Sequence, residues 1–98
     1  MIASFGDQGT ADLYHGASTR RARAFPNDIV ASALRKLDLL EAAHSLTDLR
    51  SPPGNRLEPL RGDWRGFHSI RVNDQWRIVF RWSESSAHDV RLVDYHRG

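Results

Sequence analysis

The stretch Phe67-His68-Ser69-Ile70-Arg71-Val72-Asn73-Asp74-Gln75-Trp76-Arg77-Ile78-Val79-Phe80-Arg81-Trp82 decides the fold. Two runs rich in β-branched and aromatic residues flank the turn formers Asn73-Asp74-Gln75, which predicts a hairpin. Strand side chains alternate between the two faces of a sheet, so each possible register can be tested against the pattern. A two-residue turn at Asn73-Asp74 would set Ile70 beside Arg77 and Arg71 beside Trp76, mixing both faces. A three-residue loop pairs Val72 with Trp76, Ile70 with Ile78 and His68 with Phe80, and leaves Arg71 opposite Arg77. Only the second register keeps one face apolar.

Downstream, Ser83 to Ala87 reads as a turn, and Asp89 to Tyr95 as a last strand in which Val90 and Leu92 alternate with Arg91 and Val93. Upstream, Arg61-Gly62-Asp63 is a turn. Ser51-Pro52-Pro53-Gly54-Asn55 is a fixed loop, because its prolines remove backbone donors and its glycine frees the chain. Leu57 and Leu60 then tuck into the core. Helical periodicity governs the segment before this loop. Ile29, Ala33, Leu37 and Leu40 recur at steps of three and four, which predicts a helix opened by Asn27 or Asp28 and running to about Ser45. Lys36, Glu41 and His44 fall on its wetter side. Asp7 or Thr10 caps a short helix through Tyr14 that Gly16 ends, and Met1 to Phe5 reads as a brief first strand. Gly16 to Arg23 reads as a mobile basic loop. The order predicts one α+β domain over residues 1–98, a small and mainly antiparallel sheet with two N-terminal helices packed on one face.

Composition limits the chemistry. A chain of 98 residues has room for one domain. With no cysteine, disulfides, thiolate metal ligands and thiol nucleophiles are excluded. No apolar run approaches the roughly 18–20 residues that span a bilayer. The opening Met1-Ile2-Ala3-Ser4-Phe5-Gly6-Asp7 lacks the basic start and apolar stretch of a secretory signal, so the expected address is the cytoplasm. His15, His44, His68, His88 and His96 show no metal-ligand spacing, and there is neither a Gly-rich phosphate loop nor a G-x-S-x-G elbow. No cofactor is expected.

Charge points to a partner. Of 14 basic side chains Lys36 is the only lysine, so 13 are arginine, whose planar fork matches phosphate oxygens two at a time. Residues 1–49 hold five basic and six acidic side chains, and residues 50–98 hold nine and six, so the C-terminal half is the cationic one. Arg71 facing Arg77 repels it by about 0.2–1 kcal/mol, a cost more readily tolerated when an anion sits between them. The alternative is two solvated arginines, each bonded to a nearby Asp. His96, in Val93-Asp94-Tyr95-His96, is a candidate acid or base that can lean over the arginines' face, with Asp94 orienting it and Tyr95 offering a hydroxyl or a stacking ring. The alternative there is a frayed terminus. Arg50, Arg56, Arg61 and Arg65 surround the Pro-Pro-Gly loop with Trp64 and Phe67 interleaved, a pattern suited to single-stranded nucleic acid. Trp76 reads as core, and Trp64 as core or helix cover.

Several of these stretches resemble one known family. Leu46-Thr47-Asp48-Leu49-Arg50-Ser51-Pro52-Pro53-Gly54-Asn55-Arg56-Leu57-Glu58-Pro59-Leu60-Arg61-Gly62-Asp63 is similar to the middle of HigB-type toxins of the RelE/ParE superfamily. Ser69 to Ile78, the opening Met1 to Phe5 and the ending Val93-Asp94-Tyr95-His96 resemble the same family, whereas the basic segment 16–26 does not match closely. The resemblance implies a compact microbial-ribonuclease-like α+β fold and messenger RNA cleavage in the ribosomal A site. It also implies neutralisation by a HigA-type helix-turn-helix antitoxin, through which alone operator DNA would be reached. Arg61, Arg77 and His96 stand at positions where the family carries functional residues, and Arg71 follows less closely. The expected chemistry is metal-free attack of a 2′-oxygen on the adjacent phosphorus. Arg71 and Arg77 would stabilise the gathering charge by about 2–4 kcal/mol each, while Arg50, Arg56, Arg61 and Arg65 hold phosphates. Two rivals share the fold or the charge: a ParE-like toxin that binds gyrase, and a basic RNA-binding module without chemistry.

Overall fold

A computed structural model describes residues 1–95. Four strands form one antiparallel sheet in sequence order: β1 (Glu58–Pro59), β2 (His68–Arg71), β3 (Trp76–Ser83) and β4 (Ser86–Asp94). The hairpin takes the three-residue loop. His68 pairs with Phe80, Ile70 with Ile78 and Arg71 with Arg77, and the Val72 N–H donates to the Trp76 carbonyl at 2.9 Å. Asn73 stabilises the loop, its side-chain oxygen accepting from the backbone N–H of Gln75 and Trp76. The apolar face so produced, with Ile70, Ile78, Phe80, Val90 and Leu92 buried, packs against helix α3 (Asn27–Ala42) through Ile29, Ala33, Leu37 and Leu40.

Residues that look out of step along β4 are reconciled by a bulge. Ala87 and Val90 are both fully buried although three residues apart, a spacing that would place them on opposite faces of a regular strand. The register shifts between Val79 and Arg81, so β4 carries one residue more than β3 there, and Asp89 takes a φ of 54°. Asp89 is held in this left-handed state by its backbone N–H, which donates to Ser4 Oγ, and by its carboxylate, which pairs with Arg81 at 2.7 Å. The β3–β4 turn is tighter than the expected Ser83–Ala87. Only Glu84 and Ser85 lie between the paired Ser83 and Ser86, both at positive φ, as a two-residue hairpin turn requires.

Helix α1 (Gln8–Tyr14) is capped by Asp7, whose carboxylate accepts from the Thr10 N–H at 2.8 Å. Three expectations for the N-terminal half need correction. Met1 to Phe5 is not a full strand: Ile2 and Phe5 make isolated parallel bridges to Ala87 and Val90. The basic segment is not an open loop, because Arg20–Arg23 forms a helical turn, α2, whose cap Thr19 accepts from the Ala22 N–H and donates to the buried Asp12. Helix α3 starts at Asn27 behind Pro26, with no side-chain cap, and stops at Ala42 rather than near Ser45. Asp48 ends it there by accepting from the N–H groups of His44 and Ser45, turning the chain into a 3₁₀ turn over Leu46–Arg50.

Candidate active site

The second face of the sheet carries the site. Over its middle lies the 61–67 loop, with Trp64 edge-on to Phe67 at 5.0 Å between ring centroids and the Arg91 guanidinium 5.5 Å over the Trp64 ring. Trp64 is thus neither core nor helix cover: half-buried, it packs against Phe67 and the Arg91 guanidinium over the second face of the sheet. Toward the β2–β3 loop, Arg77 lies on the same face with only 12% of its side chain exposed.

The local arrangement follows from pairing. Glu58 on β1 lies directly opposite Ser69 on β2, and Ser69 opposite Val79. Arg77, two residues before Val79, is the diagonal neighbour of Ser69, within reach of a long side chain. Its Nη1 donates to Ser69 Oγ at 2.6 Å and to the Arg56 carbonyl at 3.4 Å, and lies 3.3 Å from Glu58 Oε1. Ser69 is fully buried, so this bond anchors the guanidinium in a dry spot. One nitrogen takes all three acceptors. Nε and Nη2 have no acceptor among the described residues, so their N–H donors are uncommitted there. The guanidinium carbon sits 5.5 Å from the centre of the Tyr95 ring, and the Tyr95 N–H is fixed by the Gln75 carbonyl at 2.6 Å. Glu58, Pro59, Leu60, Arg61 and Tyr95 line an open cleft of about 400 Å³ beside Arg77.

The structure thus brings Arg77, Tyr95 and Arg61 together, with Arg56 adjoining, and separates several others. Arg71 faces Arg77 across the strands, but no shared anion is needed to hold the pair. Arg71 turns to the carboxylate of Asp74 and Arg77 to that of Glu58, so each cation has its own counter-charge. Asp94 pairs with Trp76 and so belongs to the opposite face from Arg77 and Tyr95, where it accepts from Gln75 Nε2 at 3.0 Å. The expectation that Asp94 works beside the arginines is corrected by this alternation. Arg50 lines a different hollow, of about 290 Å³, with Thr47, Pro59 and His68. Burial pushes the His68 imidazole below its ordinary pKa, and its Nδ1 has no partner. Arg65 is exposed at the end of the 3₁₀ turn Gly62–Trp64. His96 lies outside the described residues.

Glu58 and Ser69 are the residues that sequence reasoning missed. The signal for Glu58 was its place between Leu57 and Leu60: a segment with both leucines inward and Pro59 at an edge exposes a carboxylate beside the sheet.

Comparison with known proteins agrees with this architecture. Residues 3–96 match the HigB-like toxin family, described as the RelE-like toxin of type II toxin–antitoxin system HigB. The chain is 40% identical over 97 residues to Toxin HigB-1 of Vibrio cholerae, covering 99% of each chain. It is 31% identical over 96 residues to Endoribonuclease HigB of Proteus vulgaris, covering 98% of this chain and 100% of that one. The fold matches the YoeB–YefM complex from Staphylococcus aureus with a TM-score of 0.60 at 13% identity, over 99% of both chains. It also matches a YafQ mutant from E. coli with a TM-score of 0.59 at 14% identity, over 96% of this chain and 93% of that one. By family match and by whole-chain identity alike, the chain belongs to the HigB family of RelE-like toxins of type II toxin–antitoxin systems.

Proposed function

We propose that this toxin is a ribosome-dependent endoribonuclease that cuts messenger RNA in the ribosomal A site by attack of a ribose 2′-oxygen on the adjacent phosphorus. The observation that carries this reading is the state of Arg77: a largely buried guanidinium beside the cleft, anchored through one nitrogen on a buried hydroxyl, with no partner among the described residues for its other nitrogens. A donor preorganised in this way stabilises charge that develops on a phosphoryl oxygen without reorganising at the moment of reaction.

The steps follow from the groups present. Glu58, at the cleft and 3.3 Å from Arg77, is the candidate acceptor of the 2′-hydroxyl proton. The freed oxygen forms a bond to phosphorus, the bond to the 5′-oxygen breaks, and a cyclic phosphate and a 5′-hydroxyl result. Arg77 neutralises the pentacoordinate phosphorus through Nε and Nη2. His96 is the candidate acid for the departing 5′-oxygen. Tyr95 holds the guanidinium plane and offers a ring to a base, and Arg56 and Arg61 take flanking phosphates. Arg50, Arg65 and Arg71 extend the cationic surface outward, and Asp94 steadies the β3–β4 end through Gln75. The partner that silences the toxin is a HigA-type helix-turn-helix antitoxin, which alone contacts operator DNA. The site of action is the cytoplasm, and no described helix is long and apolar enough to cross a membrane.

Mapping new 5′ ends on ribosome-bound messages tests the proposal. Discrete cuts made by the wild type, retained in EDTA-treated toxin returned to intact ribosomes and absent with Arg77→Ala, are expected. Growth arrest without cuts, together with trapped gyrase, would establish the ParE-like alternative instead.

A further inference from the structure

Lys36 is the only lysine in a chain that otherwise uses arginine, and it does not stand at the cleft. It leaves α3 half-buried, and its ammonium donates to Oδ1 of Asn55. Asn55 is fully buried, and its amide nitrogen donates to the carbonyls of Leu49 at 3.1 Å and Ser51 at 3.2 Å. One side chain thereby closes the Pro-Pro-Gly loop, and the lysine supplies the donor for its remaining acceptor. The next residue, Arg56, has a φ of 45°, a left-handed conformation that a residue with a Cβ adopts only when its surroundings dictate it. The Arg56 carbonyl is the one that accepts from Arg77. A continuous path therefore runs from α3 through Lys36, Asn55 and Arg56 to the guanidinium at the cleft. Burial first, and then the neighbouring charges of Arg35 and Arg71, hold the Lys36 pKa below its ordinary value. A cation kept against those forces is kept for the bond it makes.

We propose that Lys36 is a positioning residue of the cleavage site, setting Arg56 and Arg77 through the buried Asn55. The inference rests on the ribonuclease reading above, and its test keeps the two apart. Lys36→Met keeps the length of the stem and removes the donor, whereas Lys36→Arg restores a charged N–H. On ribosomes carrying a defined message, the saturating single-turnover rate of Lys36→Met falls about 10- to 100-fold, the scale expected for a displaced catalytic group, while half-saturation by ribosomes moves less than about twofold. Lys36→Arg recovers most of the rate. The side-chain Nε–H resonance of Arg77, followed by ¹⁵N NMR, shifts in Lys36→Met and returns in Lys36→Arg, which a role in stability alone would not produce.

A wild-type rate and an unmoved Arg77 resonance in Lys36→Met overturn the inference. Should Lys36→Met not fold, the folded wild type is acetylated instead. Lys36 is reachable through an open groove of about 420 Å³ that it lines with Arg35, Leu39 and Pro52. Lys36→Arg, treated identically, reports the effect of acetylating the terminal amine. Loss of cleavage in the wild type alone supports the inference, and equal rates in the two treated proteins overturn it. If the untreated wild type cuts nothing, the ribonuclease reading fails, and the Arg77 resonance still decides whether Lys36 positions that side chain.

Discussion

Replacing Arg77 by lysine separates charge from geometry at the cleft. In the native site Nη1 is committed to Ser69, Arg56 and Glu58, and the phosphoryl group is left to Nε and Nη2. A lysine ammonium is one nitrogen. It can stay on the buried Ser69 hydroxyl or reach toward the phosphate, and it cannot keep the anchored and the open positions occupied together. Arg77→Lys therefore loses the preorganised donor even though the net charge is unchanged. A preorganised donor to a developing oxyanion contributes about 2–4 kcal/mol, which corresponds to a rate loss of about 30- to 900-fold. Arg77→Ala falls at least as far and also leaves Ser69 Oγ without its partner, at a stability cost of about 1–3 kcal/mol. The assay is single-turnover cleavage of a 5′-labelled message on purified ribosomes, with thermal melting of each variant alongside. An Arg77→Lys rate within about threefold of wild type would refute the argument, because bulk positive charge would then suffice.

Three further outcomes follow from the same coordinates. Glu58→Gln keeps the size of the side chain but cannot accept a proton, so single-turnover cleavage drops about 10²- to 10⁴-fold; an unchanged rate removes Glu58 from the mechanism. His68 is pushed below the ordinary 6.5 by burial, so the unfolded chain takes up its proton first as pH falls. Stability then declines from about pH 6.5 downward through the folded pKa and is level above it. His68→Phe flattens denaturation midpoints between pH 7.5 and pH 5.5, whereas equal declines in both proteins would contradict the assignment. At the β3–β4 turn, Glu84 and Ser85 occupy left-handed backbone at φ 53° and 63°. Replacing them with Asn-Gly should add about 1 kcal/mol and raise the melting temperature by about 4–8 °C, with cleavage unaffected because the turn lies at the far end of β3 from Arg77; a lower melting temperature would show the turn to be already relaxed.

How far the sequence could be read depended on whether a feature repeats. The 67–82 hairpin has several alternating positions on each strand, so a wrong register puts many side chains on the wrong face at once, and the correct one stands out. Helix α3 was legible for the same reason. Its end was not, because Asp48 acts on His44 and Ser45 through single hydrogen bonds that leave no period. The bulge at Asp89 left a trace in the three-residue spacing of Ala87 and Val90, but without knowledge of β3 that spacing reads simply as a later strand start. At the site, the cationic members drew attention by charge, and Arg77 and Tyr95 do meet. Glu58 escaped because its role depends on the two-residue strand β1, too short to announce itself, aligning it with Ser69. Asp94 is expected beside His96 because strand residues two apart share a side, but its pairing with Trp76 puts Asp94 on the face opposite Arg77, which only the register with β3 reveals.

The strap formed by the first residues bears on when the toxin becomes dangerous. Met1 and Ser4 present their carbonyls to Ala87 and Val90 of β4, so this strap is completed only by residues far along the chain. During vectorial synthesis this segment can meet Glu41 and Ala43 early, but its strand partners exist only once β4 has been made. Tyr95 belongs to that late portion, so the cleft does not exist on a partly made chain. The strap and the cleft thus come into being at the same late stage of synthesis, once β4 and Tyr95 have been made.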